Sequence, residues 1–142
     1  MKENKINAGF TYKKSVLVTE KMVQDFALCT GDNNPVHLND NYAKASKFKS
    51  KIAHGLLIGS FISAVLGNEF PGHGTIYISQ SLNFTSPVFI DDKITIVIEV
   101  LEGSNSNRMK LKTLCMNQDN NIVIDGRLWL FLQAKQITPT TN

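Results

Sequence analysis

Cysteine is almost absent from this chain. Cys29 and Cys115 are the only two, far apart and outside any CxxC pattern. That excludes a disulfide-stapled scaffold and a zinc ribbon. Two reduced core thiols are expected, although the sequence alone leaves a Cys29–Cys115 pair open. Long hydrophobic runs are also lacking. The longest, Leu56 to Leu66, is interrupted by Gly59, Ser60 and Ser63 and falls short of the roughly 20 residues a bilayer span requires. Met1-Lys2-Glu3-Asn4-Lys5 is polar, and no signal-peptide apolar core follows it. A cytoplasmic protein that does not enter a membrane is expected. Strong charge is missing too: 15 basic against 12 acidic residues leave +3. This excess does not demand nucleic acid, but it suits an anionic small molecule. With 142 residues, 42% of them hydrophobic, the chain is long enough for one domain, 1–142, with a real core. It has no internal repeat and no long linker, and the polar tail Thr138 to Asn142 is expected to fray.

What the chain does have is a dense polar loop, Thr30-Gly31-Asp32-Asn33-Asn34-Pro35-Val36-His37. Gly31 breaks the helical pattern before it. Pro35 lacks an N–H and pushes Asn34 out of the α region, so no helix is expected here. Only Val36 is apolar, so burial alone does not explain the segment. It sets one carboxylate, Asp32, and one imidazole, His37, five positions apart, suited to holding a water between them. The Asn34 side chain is expected to tie the loop to nearby backbone.

Phe10 to Val18 reads as a strand. Thr19 is a candidate N-cap, and Met22, Val23, Phe26 and Ala27 recur at helical spacing up to Gly31. Asn39 can cap a second short helix, Asp40 to Ser46. Ile52-Ala53-His54-Gly55 leads into Leu56–Leu66, whose apolar residues keep to no single stripe. A helix buried on most sides is expected, stopped by Gly67 and Pro71. Its Gly59, Ser60 and Ser63 leave one side small. From Ile76 the period changes to two. Ile76, Ile78, Gln80, Leu82 and Phe84 share one face, then Ile94–Val100, Met109–Cys115 and Ile122–Leu132 follow, separated by turns at Gly103–Asn107 and Asn117–Asn121. Gly126 is a candidate bulge. These features give an α+β fold, an antiparallel β-sheet wrapped around a long central helix. Edge-to-edge pairing in a dimer would cover an open strand.

The run Phe26-Ala27-Leu28-Cys29-Thr30-Gly31-Asp32-Asn33-Asn34-Pro35-Val36-His37, with Ala43 beyond it, then Ile52-Ala53-His54-Gly55, Pro71-Gly72, Gly74, Ser81-Leu82-Asn83-Phe84 and Pro87-Val88, resembles the hydratase-2 motif of MaoC-like (R)-specific enoyl-CoA hydratases. The likeness covers nearly the whole chain in order. It implies a single hotdog fold, a homodimer with a continuous sheet, and hydration of trans-2-enoyl thioesters to (R)-3-hydroxyacyl thioesters or the reverse dehydration. The family's catalytic pair falls on Asp32 and His37, and its carbonyl-binding amide falls on Gly55. Cys29 stands where an aliphatic residue or glycine is expected, which reads as a packing variation.

This chemistry needs a base for water, a proton for C2 and a donor for the enolate-like oxygen. Asp32 and His37 can serve the first two. The Gly55 N–H, at a helix start, can serve the third. No cofactor or metal is required, and His37, His54 and His73 lack short metal-ligand spacing. Other residues carry two readings each. His54 either braces the helix start or acts at the site. Ser63 either packs or touches substrate, and no GxSxG setting surrounds it or Ser60. Lys47 and Lys49, with Lys44 and Lys51, are either solvated surface or a landing site for phosphates. Trp129 either packs in core or dimer interface, or closes part of an acyl tunnel. The acyl carrier can be coenzyme A or acyl carrier protein. Rival functions are a carrier-protein dehydratase, a hotdog thioesterase and a non-catalytic acyl-binding domain.

Overall fold

The structure, a computed structural model, describes residues 6–103 and 107–133. In chain order its elements are β1 (Thr11–Leu17), α1 (Glu20–Thr30), α2 (Pro35–Leu38), α3 (Asp40–Ala45), α4 (Gly55–Asn68), β2 (Thr75–Gln80), β3 (Asn83–Phe84), β4 (Lys93–Glu102), β5 (Arg108–Met116) and β6 (Ile122–Leu132). The expectations for Met1–Lys5, for Thr138–Asn142 and for the middle of the Gly103–Asn107 turn lie outside the described residues.

Local chemistry sets the first helices. The Thr19 hydroxyl accepts the Met22 N–H at 3.2 Å, and Glu20 stands in the positive first turn of α1. Gly31 ends α1 at φ 79°, a left-handed conformation suited to glycine, and donates its N–H to the Ala27 carbonyl. The Asn39 side chain accepts the Tyr42 N–H at 2.8 Å to start α3. One expectation is corrected between them. Residues Pro35–Leu38 form a single helical turn, because proline at N1 loses an N–H that has no intrahelical partner there anyway.

Strands β4, β5 and β6 form an antiparallel meander, and the sheet order is β1-β4-β5-β6-β2, with β3 also on β6. Ile94, Ile96, Ile98 and Val100 turn one face inward, as do Met109, Leu111 and Cys115, and Leu128 and Leu130. Against that face lies α4, burying Leu57, Ile58, Ile62, Val65 and Leu66. Each such side chain contributes about 1.5–3 kcal/mol of burial. No helix among the described residues is long and apolar enough to cross a membrane.

Three details differ from the pattern in the sequence. Helix α4 runs through Gly67 to Asn68, and the Glu69 N–H closes it on Val65 O. It is buried on one side only, with Leu56, Ser60, Ser63 and Ala64 exposed in the protomer. The alternation from Ile76 to Phe84 is broken by a register shift between Tyr77 and Ser79. Tyr77 and Gln80 pair with the inward Leu130 and Leu128, while Ile76 pairs with Phe131. Gly126 is not the bulge: the shift in β6 falls at Val123, between the Cys115↔Ile124 and Met116↔Ile122 pairs. Gly126 instead admits the Ser81 carbonyl, 2.0 Å from where a Cβ would stand. Both cysteines are free. Cys115 is buried as expected, with its thiol pushed up to about 12 by burial, but Cys29 is exposed and so is not a core packing residue.

Candidate active site

The loop after α1 is held by its own polar groups. The Asp32 N–H donates to Thr30 Oγ1 at 3.2 Å, the Asn33 N–H to Gly31 O at 3.0 Å, and the Asn34 N–H to Asp32 Oδ1 at 3.2 Å. Asn34 Oδ1 in turn caps α2 by accepting the Val36 N–H at 3.4 Å. One turn on, His37 faces the segment that enters α4. The Ile52 N–H donates to Val36 O at 3.3 Å, and His37 Nδ1 donates to Ile52 O at 2.7 Å. A carbonyl only accepts, so the Nδ1 proton is fixed and Nε2 carries the lone pair of a neutral ring. Burial is the main cause that lowers the His37 pKa below 6.5. The Ile52 carbonyl acts against it, the neighbouring His54 adds to it, and Asp32 opposes it.

His54 is 2% exposed and lies between two rings, with centroids 3.9 Å from His37 and 4.8 Å from Phe26. Its Nε2 donates to the Asp32 backbone carbonyl at 3.0 Å. It is the N-cap residue of α4, yet its side chain makes no capping bond. Among the described residues nothing accepts the Gly55 or Leu56 N–H, so two donors at the start of α4 remain open.

These groups border one cleft of about 480 Å³. Asp32, His37, His54, Gly55 and Leu56 form one side, and Phe84–Val88 with Val123 and Ile124 form the other. Phe84, 53% exposed, lays its ring against Gly55, where a Cβ would stand 2.8 Å from two ring carbons. Leu82 does the same at Gly59, at 3.0 Å. Gly55 and Gly59 of α4 thus receive β3 and the residue before it, while Ser60 and Ser63 stay exposed.

One carboxylate oxygen of Asp32 and one ring nitrogen from each of His37 and His54 lie within 4.8 Å of one another. Sequence spacing gave no sign of this trio, because His54 joins it from another segment. Metal ligation is a poor use of it. Imidazole lone pairs lie in the ring plane, and two stacked rings only 31° from parallel cannot both aim at one ion at about 2.0–2.1 Å. The arrangement suits a water instead, placed between the Asp32 carboxylate and the His37 imidazole, beside an open amide.

Other sequence-proposed residues stand elsewhere. Asn34 caps α2 and does not line the cleft. Ser63 is exposed two turns along α4, also off the cleft. Trp129 is corrected: Leu128 and Leu130 on either side of it point into the core, so Trp129 faces the opposite side of the sheet, under Lys110, and closes no part of the cleft. Lys51 is taken up by Glu20 and by Asp40, its Nζ 3.3 Å from the latter, and its pKa is raised chiefly by Glu20. Lys47 and Lys49 are exposed, and Lys47 Nζ lies 5.1 Å from the Phe48 ring, which borders the cleft. Phe48 and Phe84 were missed as lining residues.

The MaoC-like domain profile matches residues 2–121. The chain belongs to the MaoC-like family. It is 36% identical over 131 residues to 3-hydroxybutyryl-CoA dehydratase of Methylorubrum extorquens, covering 92% of this chain and 83% of that one. It is also 36% identical over 131 residues to (R)-specific enoyl-CoA hydratase of Rhodospirillum rubrum, covering 92% and 90%. The unliganded R-hydratase PhaJ1 of Pseudomonas aeruginosa superposes with a TM-score of 0.86 at 35% identity, over 96% of this chain and 93% of that one. This MaoC-like chain has the hotdog fold of those hydratases, with α4 packed on the inner face of its sheet.

Proposed function

We propose that this MaoC-like protein is an (R)-specific enoyl-CoA hydratase of fatty acid metabolism. It adds water to trans-2-enoyl-CoA to give (R)-3-hydroxyacyl-CoA and catalyses the reverse dehydration. It acts as a single-domain chain, a homodimer in the cytoplasm, without a cofactor. The observation that carries the reading is the Asp32 carboxylate within 4.8 Å of a His37 ring nitrogen, beside the open Gly55 N–H. The (R) assignment rests on kinship with proteins named for it.

In the hydration direction a water donates one hydrogen to Asp32 and one to the neutral His37 Nε2, turning its oxygen lone pair to C3. As the O–C3 bond forms, the C2=C3 π electrons move toward the thioester oxygen, which the Gly55 N–H stabilises. The proton taken from the water is returned to C2, which restores the carbonyl. Asp32 and His37 are on the same side of the cleft, so both parts of the water add to one face. Lys47 and Lys49, exposed on either side of the cleft-lining Phe48 in sequence, suit the phosphates of the carrier. The homodimer is supported by β2, a sheet edge carrying Ile76 and Ile78, each 48% exposed. Two free thiols, one of them exposed, suit a reducing compartment.

The test is hydration of crotonyl-CoA with chiral analysis of the product. The (R)-alcohol is expected. An (S) product, no hydration of any enoyl chain, or release of free thiol without loss of enoyl absorbance would overturn the reading. Acyl carrier protein brings the same thioester and phosphate, so a carrier-protein dehydratase uses the same residues. Comparing crotonyl-CoA with the carrier-protein thioester separates the two.

A further inference from the structure

We propose that His54 is a positioning residue of this site, its Nε2–H fixing the backbone of Asp32 and its ring setting the plane of His37. The inference rests on the hydratase reading above and adds to it the residue that aligns the pair. His54 makes contact with both partners from a segment remote in sequence. It bonds the Asp32 carbonyl at 3.0 Å and stacks on His37 at 3.9 Å, with Phe26 pressed on the ring at 4.8 Å.

An ordinary brace at a helix start would spend its polar atoms on the first-turn N–H groups. His54 makes no such bond, and the Gly55 and Leu56 donors stay open to the cleft. Its Nδ1 is buried without a partner, a cost that a phenylalanine in its place would avoid and that a glutamine, whose Oε1 would be buried there as an acceptor, would not. An imidazole at this position therefore contributes something those residues cannot combine: a planar ring against His37 and a donor at the far edge to Asp32. The titratable groups that face His37 are Asp32, from the α1–α2 loop, and His54, at the start of α4. After burial, the His54 imidazole is thus also a neighbour that holds the His37 pKa down.

Two variants divide these contributions. H54F keeps the stack and loses the donor. H54Q keeps a donor of similar reach and loses the stack. In H54F the kcat on crotonyl-CoA is expected to fall about tenfold or more with KM changed less than about threefold, since misplacement of a reacting group lowers rate rather than binding. H54Q, which keeps the donor but not the stack, is expected to recover part of that loss without reaching the wild-type kcat. In both, the His37 ring titrates higher than in the wild type when followed by NMR on the ligand-free protein. Equal kcat in H54F and H54Q, or His37 titrating unchanged in either folded variant, overturns the proposal. The titration needs no turnover. If the wild-type protein hydrates no enoyl thioester, the functional reading fails, while the His37 titration still decides whether His54 governs His37.

Discussion

The imidazoles of His37 and His54 are stacked 3.9 Å apart, centre to centre, with their planes 31° from parallel. A proton added to His37 would sit in a half-buried place against a second imidazole. Protonation of His37 is therefore disfavoured, which leaves its Nε2 suited to accept from water. The kcat/KM profile is expected to fall on the acid side with an apparent pKa below the ordinary 6.5 of histidine. Stability follows the same sign. Below 6.5 the unfolded chain binds more protons at this residue than the folded one. Stability from His37 is complete above 6.5 and declines as pH drops through the lowered folded value. A pH–rate profile and urea midpoints at matched pH values check both.

Asp32→Asn and His37→Ala are each expected to lower hydration by about a thousandfold or more, the range of a lost general base. Asp32 is exposed in the cleft, so its variant should unfold at nearly the wild-type urea concentration. Turnover near the wild-type value in either variant would remove that residue from the mechanism.

Gly55→Ala places a methyl 2.8 Å from the Phe84 ring. The ring is half exposed and can swing, so the fold should survive while the cleft is reshaped and kcat/KM falls about tenfold or more. Adding Phe84→Ala should restore part of the loss, giving a coupling of about 1 kcal/mol or more in a double-mutant cycle. Strictly additive losses would show that the ring and the glycine act independently.

Trp129→Ala should leave the preference among acyl chain lengths unchanged, because the ring lies on the far side of the sheet from the cleft. The expected effect is on stability alone, read as a lower urea midpoint. A changed ratio of crotonyl-CoA to octenoyl-CoA turnover would contradict this.

Ile78→Lys puts a charge on the open edge strand β2. It is expected to shift the protein from dimer to monomer in sedimentation velocity while leaving each protomer folded. A dimer of unchanged affinity would place the subunit contact elsewhere.

Much of this architecture was legible because it is local. Thr19, Gly31 and Asn39 act on backbone groups within a few residues of themselves, so the ends of α1 and the start of α3 could be read directly. The inward faces of β4 and β5 show in their uninterrupted alternation. Legibility ended where one residue's place depends on a distant segment. The bulge in β2 moves Tyr77 inward and Ile76 outward, and nothing in Thr75–Gln80 announces it. Trp129 looked like a core residue on size, but strand parity sends it outward. Lys51 looked like part of a basic patch until Glu20 and Asp40, from two other elements, closed on it. At the site, Asp32 and His37 lie five positions apart in one short stretch and were visible together. The stack of His54 on His37, and the ring of Phe84 over Gly55, exist only once α4 meets its neighbours.

The fit of Phe84 and Leu82 into Gly55 and Gly59 also bears on the order of folding. Glycine costs a helix about 1 kcal/mol relative to alanine, and α4 holds three among its 14 residues. A segment so weak in intrinsic helicity should be largely disordered as a free peptide. It becomes a helix when the meander offers its apolar face a surface. The open amide of Gly55 then depends on the sheet, because α4 has little helicity to hold that amide in place without it.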